Sequence, residues 1–175
     1  MDELVYDDTL LADILNGVKT IAMVGASRSW VRPSHFVMKY MQSQGYRVIP
    51  VNPREAGGEL LGETIYGDLK SIPEPFQMVD IFRNSEAAGT ITDEAVAVKD
   101  KGINVVWMQL GVRNDDAAAR AEAAGLTVIM DHCPKIEYGR LFGELSWSGV
   151  NSRIISAKRP RLRQRATKRA GGGHG

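Results

Sequence analysis

At 175 residues, 43% hydrophobic and 25% charged with a net charge of +1, the chain has the make-up of one globular domain that buries a sizeable core. No run reaches the roughly 18 apolar residues that span a bilayer, and the first ten residues carry four acidic side chains and no basic one, the reverse of a signal peptide, so the expected compartment is the cytoplasm. A single cysteine, Cys133, excludes an internal disulfide framework and a multi-cysteine metal cluster.

Residues 1–18 form the first unit. Thr9 to Gly17 places Leu10, Leu11, Ile14 and Leu15 at helical spacing, with Asp7 and Asp8 positioned to cap it, which predicts a short helix packed on the main domain. That domain, 19–150, opens with an apolar run, Thr20 to Val24, closed by Gly25. From Pro33 the residues Phe36, Val37, Tyr40 and Met41 fall on one helical face before Gly45, which reads as strand, glycine turn, helix. Tyr46 to Val51 is the second strand, followed by a Gly/Pro-rich connection through Asn52, Pro53, Gly57, Gly58 and Gly62 and a short turn at Leu69 to Ile72. Met78 to Phe82 is the third strand, Glu86 to Lys101 a helix, and Ile103 to Leu110 an almost unbroken apolar fourth strand. Asn114 caps an alanine-rich helix that Gly125 stops, Leu126 to Met130 is the fifth strand, and a last helix spans Pro134 to Leu145.

Strands that alternate with helices and are apolar on both faces imply an α/β fold of the Rossmann-like type, a three-layer α/β/α arrangement around a five-stranded parallel sheet. Numbered along the chain, the strands are expected in the order 3-2-1-4-5. The C-terminal segment differs in kind: eight of the 22 basic residues follow Glu144, the last of the 21 acidic ones. That leaves 14 basic against 21 acidic residues, or −7, on the body. With few apolar residues and a glycine-rich end, 156–175 is expected to be a disordered basic tail. The tail either only solubilises the chain or makes weak contact with nucleic acid or another polyanion.

In a sheet of this kind a ligand sits beyond the carboxyl ends of the strands, where the strand order reverses, here expected between the first and fourth strands. Gly25, Ala26 and Ser27 occupy the turn after the first strand. A residue without a Cβ lets the backbone approach a pyrophosphate, and the helix beyond it offers unpaired N–H groups; a glycine in that place also serves as a bare tight turn. Arg32 and Ser34 flank the helix start and favour a phosphate. Val51, Asn52, Pro53 and Arg54 leave the second strand as a rigid turn that packs flat on an adenine, or as a proline turn with a solvated arginine. Phe82 and Arg83 set a ring and a cation at the end of the third strand, and Gln109 ends the fourth.

The dinucleotide fingerprint G-x-G-x-x-G, laid from Gly25, meets Ser27 and Trp30 where glycines are required, and the second strand ends in Asn52 without a ribose-binding carboxylate. Nicotinamide dinucleotides are therefore disfavoured. No Gly-Lys-Ser/Thr follows Gly25 at Walker A spacing, which disfavours a nucleoside triphosphatase. The histidines His35, His132 and His174 are too scattered to predict a metal site. Asp131-His132-Cys133 offers a thiol and a base, but neighbours in an extended segment point apart. Cys133 is then a structural cysteine near the sheet edge, a thiol that meets the ligand's own sulfur, or a nucleophile.

The series Val-Gly-Ala-Ser (24–27), Arg-Pro-Ser (32–34), Gly-Tyr (45–46), Pro-Val-Asn-Pro (50–53), Phe-Arg (82–83), Trp-Met-Gln-Leu-Gly-Val (107–112) and Cys133 resembles the small bacterial CoA-binding proteins from Lys19 to about Leu145. These are similar in fold to the CoA-binding domain of the succinyl-CoA synthetase alpha subunit. The resemblance implies a coenzyme A site in which the 25–27 turn holds phosphates, Val51 to Arg54 meets the adenosine end and Phe82-Arg83 lines the crevice. The expectation is a non-catalytic binding or regulatory module for coenzyme A or acyl-CoA, with a homodimer as a further partner state. The alternative is an enzyme or enzyme subunit that handles acyl-CoA thioesters or an adenine dinucleotide.

Overall fold

The apolar runs of the sequence become the parallel strands of one central sheet in the computed structural model, which describes residues 3–143 and 166–168. In chain order the elements are β1 (Glu3–Val5), α1 (Asp8–Gly17), β2 (Thr20–Val24), α2 (Pro33–Ser43) and β3 (Arg47–Val51), then the small hairpin β4 (Glu59–Leu60) and β5 (Glu63–Thr64). They continue with β6 (Met78–Ile81), α3 (Ser85–Ala97), a 3-10 turn over Lys99–Lys101, β7 (Val105–Met108), α4 (Asp115–Ala123), β8 (Thr127–Ile129), α5 (Pro134–Phe142) and β9 (Ala166–Lys168). Of the tail expected from 156 onward, only β9 lies inside the described residues; its backbone pairs antiparallel with β1. The end of the domain at 150 and the last residues expected of the final helix lie outside them.

The five-stranded sheet runs in the order β3-β2-β6-β7-β8, every pairing parallel. Counted along the chain that is 2-1-3-4-5, which corrects the expected 3-2-1-4-5: the third strand lies beside the first, on the side away from the second. The cause is the connection between β3 and β6. It contains no crossover helix, and it crosses the sheet on the face opposite α2, where Leu69, Ile72 and Phe76 are buried against Val79 and Ile81. A right-handed crossover that changes face also changes direction along the sheet. The order therefore reverses between β2 and β6, not between the first and fourth strands.

Alternation along the strands divides the core in two. Met23, Met78, Trp107 and Ile129 face α1, α2 and α5, while Ala22, Val79, Val106 and Val128 face α3 and α4, as the two-residue period of a strand demands. Each large side chain so buried contributes about 1.5–3 kcal/mol. The N-terminal helix is part of this core: Leu10, Leu11, Ile14 and Leu15 are buried, the Tyr46 hydroxyl donates to the Leu15 carbonyl, and the Met130 N–H donates to the Tyr6 hydroxyl at 2.9 Å. Asn114 caps α4 as expected, its Oδ1 accepting from the Ala117 N–H at 3.0 Å.

Candidate functional site

Beyond the carboxyl ends of the strands, between the amino-terminal turns of α2 and α5, lies a crevice of about 970 Å³. Its floor is the point where the strand order reverses. Because β6 is the neighbour of β2, Phe82 and Arg83 stand directly beside Gly25 instead of one strand away, and the two segments are joined by the Phe82 N–H donating to the Val24 carbonyl at 2.8 Å.

Gly25 is required twice over. Its φ is +87°, in the left-handed region, and a Cβ there would drive into the Phe82 carbonyl oxygen, with the carbonyl carbon at 2.9 Å and Arg83 Cδ at 3.1 Å. The bare Cα is what lets Arg83 lie across the turn. The turn is also held from within. The Gly25 N–H donates to the Val51 carbonyl at 2.9 Å, the Ser27 N–H to Ser34 Oγ at 3.2 Å, and the Ser29 N–H to Ser27 Oγ at 3.1 Å. Two of the amides expected to meet a phosphate thus serve the loop's own shape, and Ser34 is a brace inside the site.

Charge is what the crevice has to spare. Of the eight arginines among the described residues, Arg28, Arg47, Arg113, Arg120 and Arg140 are in ion pairs. The other three, Arg32, Arg54 and Arg83, are exposed and make no side-chain hydrogen bond or ion pair among the described residues. All three line the crevice. Three guanidinium groups without carboxylate partners around one concavity have the chemistry that suits a multiply charged anion.

The turn after β3 has a different part. Asn52 Nδ2 donates to the Ala26 carbonyl at 2.9 Å and its Oδ1 accepts from the Arg54 N–H at 3.0 Å, so Asn52 clasps the proline turn to the glycine turn. Ala26 and Val51 are buried and do not line the crevice. Val51 and Pro53 instead line a second, smaller pocket of about 270 Å³ on the α3 side, which Arg83 also borders. Of the twelve residues singled out in the sequence, nine therefore line the main crevice: Gly25, Ser27, Arg32, Ser34, Asn52, Arg54, Phe82, Arg83 and Gln109.

Of the opposite wall, only Leu110 and Cys133 belong to the sequence motifs. Phe36, Leu110 and Ile136, each half exposed or more, form an apolar lip, and Lys135 and Cys133 come in from the start of α5. Beneath them, Gln109 Nε2 donates to Asp80 Oδ1 at 2.8 Å. Asp80 is fully buried on β6, and its Oδ2 has no hydrogen-bond partner among the described residues. Burial pushes this carboxyl up to about 7, against the opposing bond from Gln109. An aspartate inside the apolar run Met78–Ile81 was the available signal.

His132 and Cys133 point to different surroundings, as expected. His132 Nδ1 meets the Met130 carbonyl at 2.7 Å, and its ring packs edge-on against Tyr6. Burial raises the Cys133 thiol pKa, helped by the nearby Asp80; the first amides of α5 and Lys135 pull the other way. At neutral pH the sulfur is a thiol and not a nucleophilic thiolate. Trp107 and Met108 are core residues with no exposed surface.

Known proteins resemble this chain in sequence and in fold. Residues 19–139 match the family model described as a CoA binding domain. The uncharacterised protein YneT of Bacillus subtilis (strain 168) is 38% identical over 128 residues, which cover 73% of this chain and 91% of that protein. A structure from Thermus thermophilus superposes with a TM-score of 0.73 at 38% identity, covering 78% of this chain and all of that one. A hypothetical protein from Pyrococcus horikoshii OT3 gives 0.73 at 34% identity, with 82% and 100% covered.

Proposed function

Since the chain belongs to the CoA-binding domain family, we propose that its crevice binds coenzyme A or an acyl-CoA as a binding or regulatory module without turnover of its own. One observation carries the proposal: among the described residues, the three arginines free of ion pairs all surround the crevice at the sheet's reversal point. Coenzyme A brings a diphosphate and a 3′-phosphate, and three guanidinium groups match that charge better than a neutral or singly charged ligand does.

In this reading the diphosphate lies over the Gly25 to Ser27 turn between Arg32 and Arg83. The adenosine end meets Val51 to Arg54, with Arg54 on its phosphate and the small pocket beside Val51 and Pro53 taking apolar surface. The pantetheine arm crosses Phe82 and Gln109 toward the apolar lip of Phe36, Leu110 and Ile136, which also suits an acyl chain. Two features favour binding over thiol catalysis: His132 is committed to its own backbone, and Cys133 is held as a thiol.

Calorimetric titration with coenzyme A, dephospho-CoA, ADP and NAD tests this directly. The expected ranking is coenzyme A first, dephospho-CoA weaker for want of its 3′-phosphate, and NAD weakest. Indifference to the 3′-phosphate removes coenzyme A as the specific ligand.

A further inference from the structure

A carboxyl group lies buried beneath the crevice, in a strand whose other residues are all apolar. Asp80 is fully buried and sits between Met23 of β2 and Trp107 of β7 in the sheet register, on the face covered by α1, α2 and α5. Its Oδ1 accepts from Gln109 Nε2 at 2.8 Å, and Gln109 lines the crevice. Its Oδ2 has no partner among the described residues, so an ionised Asp80 is costly to bury. Met23 stands two residues before Gly25. Asp80 is therefore one strand over from the glycine turn and two residues back, about 4.8 Å across the sheet and about 6.6 Å along it, or ~8 Å between backbones.

An anion in the crevice acts on that carboxyl in one direction only. Phosphate charge at the glycine turn repels the ionised form. Arg32, Arg54 and Arg83, which line the crevice, are neutralised by the same phosphates and stop favouring that form. The ligand also displaces water from above Gln109, which deepens the burial. Cys133, at the start of α5, is the ionisable neighbour of Asp80, and burial holds it as a thiol. The other titratable side chains of this layer are engaged elsewhere: Glu137 with Arg140 at 2.7 Å, Tyr6 with the Met130 N–H, Tyr46 with the Leu15 carbonyl, His132 with the Met130 carbonyl, and Tyr40 with the Tyr138 ring. Lys135 lies over the Tyr40 ring, 5.5 Å from its centroid, and α1 and α2 present the uncharged Leu11, Val37 and Met38.

We propose that Asp80 couples anion binding in the crevice to the uptake of a proton, an inference that rests on the crevice being the coenzyme site. The chain with a protonated Asp80 binds the coenzyme more tightly, and by reciprocity the bound coenzyme holds the proton on. The proton comes from solvent and settles on Oδ2, so that Oδ1 continues to accept from Gln109. Burial already holds the free carboxyl at about 7, and the complex holds it higher. Affinity is therefore greatest below about pH 7, falls as pH rises from the free value to the value in the complex, and is level above it. At an effective dielectric of about 20, one phosphate charge about 10 Å away corresponds to a fall of about ten-fold.

Coenzyme A is titrated by calorimetry into the full-length protein and into Asp80→Asn between about pH 6 and pH 9. The variant carries a neutral side chain of the same shape with the acceptor for Gln109 kept, and titration of the ligand's own phosphates affects both proteins alike. The two are expected to bind equally at the acid end, with the unsubstituted protein about ten-fold weaker than the variant at the alkaline end. Parallel profiles overturn the inference and leave the coenzyme site standing. A second reading needs no variant: at about pH 7.5, titrations of the unsubstituted protein in two buffers of different ionisation enthalpy are expected to show about half a proton taken up per coenzyme bound. The phosphates have by then lost their second proton, whose pKa is about 6, so they do not supply this signal. Binding without proton uptake overturns the inference. Failure to bind coenzyme A at any pH overturns the site assignment and the inference with it.

Discussion

Replacing Gly25 by alanine probes the crevice floor, and replacing Gly45 sets the scale. Both glycines hold left-handed backbone, with φ of +87° and +96°, so a side chain costs about 1–2 kcal/mol at either position. A Cβ on Gly45 meets no heavy atom within 4 Å, and the cost ends there. At Gly25 the Cβ meets the Phe82 carbonyl, whose carbon is 2.9 Å away, and Arg83 Cδ at 3.1 Å. Arg83 can swing aside. The carbonyl cannot, because β6 is tied to β2 through the Val24 and Ile81 pairing and the 2.8 Å bond from the Phe82 N–H. Relief means parting the two strand ends, which forfeits about one backbone hydrogen bond and its packing, ~1–3 kcal/mol more. In urea unfolding, Gly45→Ala is expected to lose about 1–2 kcal/mol and Gly25→Ala about 2–5 kcal/mol, the larger of the two, with unchanged slope. The same movement displaces Arg83, so Gly25→Ala also loses coenzyme A binding while Gly45→Ala keeps it. Equal destabilisation by the two substitutions would refute the close approach of β2 and β6, and full binding by Gly25→Ala would refute the role of that turn.

Arg32→Ala and Arg83→Ala are each expected to weaken coenzyme A binding by about 1–3 kcal/mol in calorimetry, whereas Arg120→Ala, whose guanidinium is already paired with Asp93 at 3.0 Å, leaves affinity unchanged. Asp80 holds its proton to about pH 7 in the folded protein, while an unfolded aspartate releases it near 4. Its contribution to stability is therefore complete below about pH 4, lost as pH rises toward 7, and constant above, a change of order 4 kcal/mol. Asp80→Asn keeps the Oδ1 acceptor for Gln109 and is expected to flatten that stretch of the stability curve; an unchanged slope from pH 4 to 7 would mean the carboxyl titrates normally. Asn52→Ala removes both bonds of the clasp between Ala26 and Arg54 and should lower unfolding free energy by about 1–2 kcal/mol, read in the same denaturant assay.

The elements were legible because each buried strand is a short apolar run closed by a glycine or a turn, as Thr20–Val24 before Gly25 shows, and each helix carries its apolar stripe. The strand order was not. The chain between β3 and β6 has no helical period to mark a crossover, and the burial of Leu69, Ile72 and Phe76 on the far face is a long-range fact that spacing does not encode. The crevice nonetheless draws together the motifs at Gly25, Arg32, Arg54 and Arg83, because any parallel sheet brings the carboxyl ends of its strands to one edge. Part of its far wall was hidden for a related reason: α5 folds back beside α1 and α2, and this return carries Lys135 and Ile136, along with the motif residue Cys133, to the residues after β2. Asn52 has the look of an adenine contact and is a clasp, since an asparagine's partners are set by what the fold places within 3 Å. Asp80 carries no motif, although a carboxylate between Val79 and Ile81 is costly to bury.

A crystal of the protein soaked with coenzyme A decides where the ligand sits. Density for the coenzyme is expected in the 970 Å³ crevice, its diphosphate against the Gly25 to Ser27 turn with Arg32 and Arg83 within hydrogen-bonding distance. Coenzyme bound elsewhere on the molecule, or a crevice filled by the protein's own side chains, would contradict the assignment.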